Sequence, residues 1–375
     1  MKILQVCMTY KSHFGGVAEH VRNISERLVA RRHDVNVFAT DPLGVLRREE
    51  TLSGVKVKRF RSWAPGGAYY FSPALKKHLE ETSDTFDVVH AHDYHALPAL
   101  YASQTKKSNR LVFTSHYHGR GHTWFRNMLH IPYRMFGRTI FQNSDRIVCV
   151  SHHEKNLVER DFCVDDRKIV VIPNGIDLNE FRCLGKTEGD RKTILYVGRL
   201  EEYKGVQYLI GAVPKLDEDV AVEIVGTGSY KAQLLRLVDK LGLQTKVAFY
   251  EDLPRVELLQ RYAKASLFVL LSRHEAYSIV VAEALASKTP CIVANQSALK
   301  EWIDDENCFG IDYPIDYEEL AKMVERVMKR RVGTVTLPTW DCVVESLCKL
   351  YADVSGGVPF RLGSRGSWHV TSEKS

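Results

Sequence analysis

Two carboxylates lie eight positions apart in residues 271–295, which read LSRHEAYSIVVAEALASKTPCIVAN. Eight residues of helix rise about 12 Å, so Glu275 and Glu283 cannot act together on one atom. They can hold opposite ends of an elongated ligand, with the helix N-terminus near Tyr277 and Ser278 facing an anionic middle. Ser278 and Ile279 are therefore also candidate donor-binding residues. A sugar, a diphosphate and a nucleoside joined in series form such a ligand. Two ordinary surface glutamates are the alternative interpretation of this pair.

Two cations have a spacing that suits the same ligand. Arg199 and Lys204 stand five residues apart and follow the apolar run ILYVG at 194–198. Two cations at the carboxyl end of a strand can flank a diphosphate, although surface Lys and Arg are common. Gly226 follows another apolar run without the third glycine of G-x-G-x-x-G. A phosphate or nucleotide edge beside Gly226 is therefore favoured over a nicotinamide site.

A glycine pair, Gly15 and Gly16, separates the first predicted strand from the first predicted helix. Backbone without side chains can approach a phosphate or a sugar closely at such a point. A simple tight turn explains the pair equally well.

Polar residues also follow the ends of two predicted strands in the first half of the chain. Their position would place them at one edge of the predicted sheet. They are His90, His92, Asp93, His116 and His118. A metal site is one interpretation. It is set aside because these histidines stand on loops of separate strands without helix spacing for joint ligation. No metal ligands are therefore predicted.

The elements that position these residues alternate between strand and helix. An apolar run at 267–271 precedes Glu275, a small-residue helical pattern contains Glu283, and Pro290 opens another β-branched run. Strand, loop, helix and strand form the unit of a parallel α/β sheet. Further strands are predicted at 2–7, 35–39, 87–90, 111–114, 146–151, 194–198, 222–225, 247–250 and 290–293, and a first helix at 18–31.

Composition limits the class of protein. The 375 residues suffice for two domains, and 45% apolar with 26% charged residues is typical of a globular protein. No run of eighteen apolar residues occurs, and the start MKILQVCMTYK differs from a signal peptide. Eight scattered cysteines without a C-x-x-C pair indicate a reduced cytoplasm rather than disulfides or zinc.

Charge differs between the two halves. Residues 1–185 have a net charge of +8 and the remainder −2, and thirteen of the fifteen histidines lie in the first half. A basic first half suits an anionic acceptor or a membrane surface. No helix-turn-helix, zinc-finger or RNA-binding signature occurs, so nucleic acid is not expected as a partner.

The stretch 120–141 contains aromatic residues, Met and Arg without an acidic residue. A basic amphipathic surface of this kind could contact a membrane or an anionic lipid-linked acceptor. A helix packed on the core with solvated arginines is the favoured alternative.

The string GRLEEYKG at 198–205 and the carboxylate pair at 275 and 283 resemble G-R-L-x-x-x-K-G and E-x7-E of glycosyltransferase family 4, which is retaining and has the GT-B fold. The resemblance covers roughly residues 2–352. It implies that Arg199 and Lys204 contact the donor diphosphate, Glu275 the sugar and Glu283 the ribose. It also assigns His116, with His118 as an alternative, and the loop of Gly15 and Gly16 to the donor–acceptor cleft. Ser278 replaces the usual glycine.

The expected fold is therefore α/β GT-B, with two Rossmann-like domains facing a cleft. The expected segments are an acceptor-side domain (1–170), a nucleotide-sugar domain (171–338), a helix returning to the first domain (339–354) and a disordered tail (355–375). The last two rest on the Trp-led pattern TWDCVVESLCKLY and on a Ser-, Gly- and Arg-rich composition.

The expected function is transfer of a hexose, with retained configuration, from a UDP-, GDP- or ADP-sugar to a glycan, lipid-linked or small-molecule hydroxyl. Cofactors other than this donor are not expected. The expected location is the cytoplasm, including the cytoplasmic membrane face if 120–141 contacts lipid. Two rivals remain open: a nicotinamide-dependent oxidoreductase and a non-catalytic partner subunit that keeps the fold.

Overall fold

The computed structural model of the chain describes residues 1–10, 16–65, 69–119, 136–182 and 192–357. The chain divides into two compact units. The first unit joins Met1–Asn174 to the segment that begins at Trp340, and the second unit runs from Gly175 to Thr339. Each unit is built on its own sheet.

Within the described residues, the first unit contains one eight-stranded sheet in the order β3-β4-β2-β1-β5-β6-β7-β8. Its strands are β1 (Lys2–Val6), β2 (Asp34–Asp41), β3 (Glu49–Leu52), β4 (Val55–Arg61), β5 (Val88–His92), β6 (Arg110–Thr114), β7 (Arg146–Cys149) and β8 (Ile169–Val171). Its first helices are α1 (Gly16–Ala30), α2 (Pro73–Thr82), α3 (Leu97–Gln104), α4 (136–143) and α5 (His152–Phe162). All neighbouring strands are parallel except β3 and β4.

The inner strands of this sheet are apolar runs in the sequence because their residues are buried. Every residue of β5 is buried, and β6 is buried after its first residue. Parallel strands covered by helices on both faces have this continuous apolar character. The edge strand β3 and its neighbour β4 contain several polar, exposed residues instead, and the sequence analysis did not predict them.

The strand predicted at 87–90 was too short. In the structure β5 continues to His92, so His90 and His92 are buried strand residues and not loop residues. The physical reason is strand pairing: β1 pairs with β5 as far as Ala91, and β6 pairs with it through His92, whose partner is Thr114. Buried histidines satisfy these positions with hydrogen bonds rather than with apolar contacts.

The second unit contains a six-stranded, fully parallel sheet among the described residues, in the order β11-β10-β9-β12-β13-β14. Its strands are β9 (Lys192–Val197), β10 (Val220–Val225), β11 (Val247–Tyr250), β12 (Leu267–Leu270), β13 (Cys291–Ala294) and β14 (Cys308–Ile311). Its helices are α6 (Asn179–Arg182), α7 (Val206–Ala212), α8 (Lys231–Leu241), α9 (Arg255–Lys264), α10 (Ile279–Ala286) and α11 (Tyr317–Val327).

The last described helix, α12 (Trp340–Val354), belongs to the first unit. It buries Trp340, Leu347 and Tyr351, and its Asp341 accepts a hydrogen bond from Arg31, the residue that follows α1. The prediction of a closing helix that returns to the first domain is thereby confirmed. Residues 358–375 of the predicted tail lie outside the described residues.

None of the helices that the structure describes combines the length and the apolar character that a membrane crossing requires.

Candidate active site

The predicted donor-binding residues of the second unit follow three adjacent strands at their carboxyl ends. Arg199 comes two residues after β9, Gly226 directly after β10, and Glu275 five residues after β12. Because β9 lies between β10 and β12, these residues share one edge of the sheet. Ligands of parallel sheets bind beyond this edge.

Lys204 and Glu275 are in direct contact. The Lys204 Nζ lies 2.5 Å from the Glu275 Oε1, and the two side chains are 12% and 13% exposed. The Lys204 ammonium also lies 5.5 Å from the centre of the Tyr203 ring. A pair this well covered loses hydration and needs further polar partners, so it is favoured when a polar ligand completes it.

The backbone on both sides of this ion pair is fixed. Gly205 has φ +77, and a Cβ added there would lie 2.1 Å from the Leu271 carbonyl oxygen at the end of β12. Glycine therefore allows the Lys204 turn to approach the loop of Glu275. That loop is held by the Glu275 N–H, which donates to Ser297 Oγ at 3.1 Å.

Arg199 is exposed and oriented by two tyrosines. Its Nη2 donates to the Tyr203 hydroxyl at 2.7 Å, and its carbonyl accepts from the Tyr196 hydroxyl at 2.8 Å. Burial raises the pKa of Tyr203 to about 12, against the opposing effect of the Arg199 charge. Both hydroxyls are therefore neutral at physiological pH.

The start of α10 lies next to Glu275 in sequence. Ser278 precedes the helix with φ 84 and ψ 79, the left-handed region, and Ile279 is the first helical residue. The Ser278 hydroxyl is buried and has no hydrogen-bond partner among the described residues. The preceding carbonyl, of Tyr277, accepts from the Trp302 indole at 2.8 Å. The first N–H groups of a helix favour an anion.

The sequence-based estimate of about 12 Å between the carboxylates assumed that a continuous helix joins Glu275 to Glu283. That assumption was wrong. Residues 275–278 precede α10, so part of the interval is loop. The left-handed backbone at Ser278 is the physical reason, because it cannot continue a right-handed helix.

Glu283 is buried within α10 and paired with a cation that the sequence analysis missed. Arg255 Nη1 lies 2.5 Å from Glu283 Oε1, and Arg255 Nη2 lies 2.7 Å from Glu180 Oε2. Burial raises the pKa of Glu283, and the Arg255 guanidinium opposes that rise. No local pattern links these three residues, which lie far apart in the chain.

Gly226 is accounted for by backbone packing. It has φ +145, and a Cβ there would lie 1.9 Å from the Gly198 carbonyl oxygen. Its N–H donates to the Tyr250 carbonyl at 2.9 Å. A phosphate contact through this N–H would have to replace that bond.

In the first unit, Gly15 lies outside the described residues, and Gly16 is the first described residue of α1. A Cβ added at Gly16 would meet no described heavy atom within 4 Å. Of the basic stretch 120–141, residues 120–135 lie outside the described residues, and Arg138 in α4 is exposed.

His116 follows β6 with a positive φ of 47 and lies in a loop held by a buried carboxylate. Glu154 accepts from Ser115 Oγ at 2.6 Å and from the backbone N–H groups of Tyr117 and Val150, each at 2.5 Å. The sequence analysis missed Glu154. Its signal was Ser151-x-x-Glu154 at the start of α5, the pattern of a helix N-terminus.

Four histidine rings of the first unit lie together. The His90 and His92 centroids are 4.1 Å apart, His20 and His116 are 4.9 Å apart, and His20 and His92 are 5.5 Å apart. His118 instead stacks on His95 at 4.4 Å. Burial lowers the pKa of His20 to about 4 and the pKa values of His92 and His116 well below their usual range. These rings are therefore neutral at pH 7.

Two protein-family models match consecutive parts of the chain. Glycosyltransferase Family 4 matches residues 14–180, and Glycosyl transferases group 1 matches residues 180–334. An uncharacterised glycosyltransferase of Methanocaldococcus jannaschii is 30% identical over 358 residues, covering 88% of this chain and 89% of that protein. Glycogen synthase of Mycobacterium tuberculosis is 29% identical, covering 88% of this chain and 86% of that protein.

Two solved structures share the fold of this chain. Sucrose-phosphate synthase from Thermosynechococcus elongatus has a TM-score of 0.79 at 20% identity, covering 95% of this chain and 100% of that one. Anabaena HepE, solved with UDP and glucose, has a TM-score of 0.72 at 17% identity, covering 93% of this chain and 99% of that one.

The fold, the sequence matches and the residues at the sheet edge together define a glycosyltransferase with the GT-B fold. The chain belongs to glycosyltransferase family 4. The resemblance drawn from GRLEEYKG and E-x7-E is confirmed at the level of family and fold. The nicotinamide-dependent and non-catalytic alternatives are set aside.

Proposed function

We propose that the protein transfers a hexose, with retention of anomeric configuration, from a nucleotide diphosphate sugar to an acceptor hydroxyl. The observation that supports this most directly is the contact between Lys204 and Glu275 beside Arg199 and the start of α10. Positive charge, a carboxylate and helix N–H groups at one sheet edge match the three parts of such a donor.

Arg199 and Lys204 are proposed to stabilise the leaving diphosphate. Charge on that group grows as the glycosidic bond breaks, and fixed cations aimed at growing charge are the largest usual source of catalysis. The Lys204 ammonium has three N–H donors. One contacts Glu275, so two remain to be shared between phosphate oxygens and the sugar. These two cations supply the charge without a metal at the diphosphate.

The two carboxylates are proposed to hold the ends of the donor. Glu275 orients the sugar, and Glu283 binds the ribose hydroxyls. A carboxylate offers about four acceptor positions, so Glu283 can keep its contact with Arg255 and still accept from ribose. His116 is proposed as the catalytic-site residue of the first unit, with its loop fixed by Glu154.

The acceptor is proposed to be a glycan, a lipid-linked sugar or a small molecule. A relative from Xanthomonas oryzae, 26% identical over 76% of this chain and 77% of that protein, is named as a GDP-mannose:cellobiosyl-diphosphopolyprenol alpha-mannosyltransferase. That name supports a lipid-linked acceptor, for which the basic stretch 120–141 is the proposed contact.

The test is a thermal-shift screen with UDP-, GDP- and ADP-sugars, followed by NMR of the product. A donor at a hundred times its dissociation constant adds about 2.7 kcal/mol of stability. Lys215→Ala removes a surface ion pair with Glu318 and serves as the matched control for Lys204→Ala. A product anomer opposite to the donor anomer would refute retention, and no shift with any donor would refute nucleotide-sugar binding.

A further inference from the structure

Three imidazoles of the first unit converge at the carboxyl edge of its sheet. They come from α1 (His20), from the last residue of β5 (His92) and from the loop after β6 (His116). One ring nitrogen of each lies within 4.8 Å of the other two. His20 and His92 are buried, whereas His116 is partly exposed.

Each of these rings has a buried nitrogen that makes no hydrogen bond with the described residues. The three atoms are His20 Nε2, His92 Nδ1 and His116 Nε2. Buried polar atoms are normally paired. Three unpaired ones on neighbouring rings point to a common partner rather than to three separate defects.

The hydrogen bonds at the far side of two rings set their tautomers. His20 Nδ1 lies 2.7 Å from Asn174 Oδ1, and His92 Nε2 lies 2.7 Å from Gln5 Oε1. An amide oxygen accepts, so these nitrogens carry the protons and the opposite nitrogens present lone pairs. A metal-bound histidine typically donates its other N–H to an oxygen in this way.

His90 provides a contrast within the same cluster. Its Nδ1 contacts the Tyr351 hydroxyl at 2.6 Å, and its Nε2 contacts Thr114 Oγ1 at 2.7 Å. Both of its nitrogens are occupied, so it supports the cluster without offering a lone pair.

We propose that His20, His92 and His116 bind one divalent transition-metal ion such as Zn²⁺, with a fourth position open to water or a ligand hydroxyl. Three imidazoles with one open position form a known arrangement for Zn²⁺. Imidazole suits Zn²⁺, Co²⁺, Ni²⁺ and Cu²⁺, whereas Mg²⁺ and Ca²⁺ prefer oxygen ligands.

The geometry requires a small adjustment of the rings. Tetrahedral bonds of about 2.0–2.1 Å place ligand nitrogens roughly 3.4 Å apart, so the widest pair would close by somewhat over 1 Å. The ion would join α1 to the ends of β5 and β6. The site lies in the first unit, and its existence does not depend on the proposed donor site of the second unit.

The experiment uses the full chain without a polyhistidine tag, stripped with a chelator and titrated calorimetrically with ZnCl₂ or CoCl₂. We expect one ion per chain, and for Co²⁺ the visible absorption of a tetrahedral complex. His20→Gln and His92→Gln should each weaken binding by more than about a hundredfold, because loss of a ligand should exceed outer-sphere effects of about 10–100-fold. His152→Gln, an exposed histidine of the same unit, should leave binding unchanged, and excess Mg²⁺ should not compete.

Two further measurements do not depend on ligand variants folding. X-ray absorption of the Zn²⁺-loaded wild type should show three imidazole nitrogens at about 2.0–2.1 Å. Asn174→Asp keeps every ligand and should tighten binding, because a carboxylate raises the basicity of His20. Failure of the wild type to bind Zn²⁺ and Co²⁺, or a spectrum without three imidazoles, would overturn the proposal.

Discussion

Replacing Ser278 by glycine should stabilise the second unit. Ser278 has φ 84 and ψ 79, a conformation that costs a residue with a Cβ about 1–2 kcal/mol. Its buried hydroxyl has no partner among the described residues, which costs about 1–3 kcal/mol. Glycine removes both costs. It also raises the entropy of the unfolded chain, which opposes the gain by about 0.4–1 kcal/mol. The net gain should be about 1–4.5 kcal/mol, or roughly 2–18 °C in Tm for a unit of this size.

Two comparisons separate the contributions. Ser278→Ala removes the hydroxyl but keeps the strained backbone, so it should be less stable than Ser278→Gly. Ser287 is the matched control, because its hydroxyl is also buried and unpartnered among the described residues while its φ is −79. There the order should reverse, with Ala more stable than Gly. The assay is unfolding in urea, measured by circular dichroism. The transition whose midpoint shifts when UDP is added is assigned to the second unit, and its midpoint is compared between variants.

The result also bears on donor binding. If the Ser278 hydroxyl donates to a donor phosphate, both variants should bind UDP about tenfold more weakly, since a hydrogen bond to a charged group contributes about 1.5–3 kcal/mol. Greater stability of Ser278→Ala than of Ser278→Gly would refute the assignment of backbone strain at this position.

Three other predictions concern charged groups. Lys204→Ala should lower kcat about a hundredfold, since one lost transition-state donor costs about 3 kcal/mol, while Lys215→Ala should leave steady-state kinetics unchanged. Glu283→Gln should raise KM for the donor less than Glu283→Ala does. Glu283→Gln should also make stability in urea less dependent on pH. The pKa of Glu283 is higher in the folded than in the unfolded chain, so its contribution to wild-type stability is fully present below pH 4.5 and is lost as the pH rises through the folded-state pKa. Glu154→Gln should destabilise the first unit by about 3 kcal/mol or more, because charge-assisted bonds are lost, whereas Glu159→Gln on the same helix should change little.

Each of these has a result that would count against it. Unchanged donor turnover in Lys204→Ala with an intact fold would remove the lysine from the proposed site. A parallel loss of stability with pH in wild type and Glu283→Gln would show that another group titrates. Equal stability of Glu154→Gln and wild type in urea would show that the His116 loop does not depend on this carboxylate.

The fold was largely accessible from sequence because parallel strands buried on both faces are continuous apolar runs. That pattern is clear for β1, β6, β9 and β12, whose predicted and observed bounds differ by one or two residues at most. It failed where side chains are polar, in β3 and β4 and at His92, and the short apolar edge strands β8 and β14 were also missed. In those places strand pairing, which depends on distant residues, decides the conformation.

The site was accessible only in part. Motif spacing brought Arg199, Lys204 and Glu275 to one sheet edge, and their roles remain predictions. Arg255 and Glu180 could not be found, because they lie 28 and 103 residues from Glu283 and look like ordinary surface charges. A metal site was set aside because His90, His92, His116 and His118 were placed on loops of separate strands, and His20 was not considered because only tertiary structure brings α1 to the ends of β5 and β6.

The ion pair between Lys204 and Glu275 has a consequence for which anions the proposed donor site rejects. An unpaired, well-covered lysine beside a helix N-terminus would attract any phosphate. With Glu275 at 2.5 Å, an incoming anion meets a carboxylate as well as an ammonium. In the proposed donor site a nucleotide sugar would satisfy both groups, since its phosphates would accept from Lys204 and its sugar hydroxyls would donate to Glu275, whereas inorganic phosphate would be repelled by the carboxylate. If the proposed site is correct, the pair selects for a ligand with an anion and hydroxyls side by side, and Glu275→Gln should bind inorganic phosphate more tightly than the wild type in a competition titration against UDP.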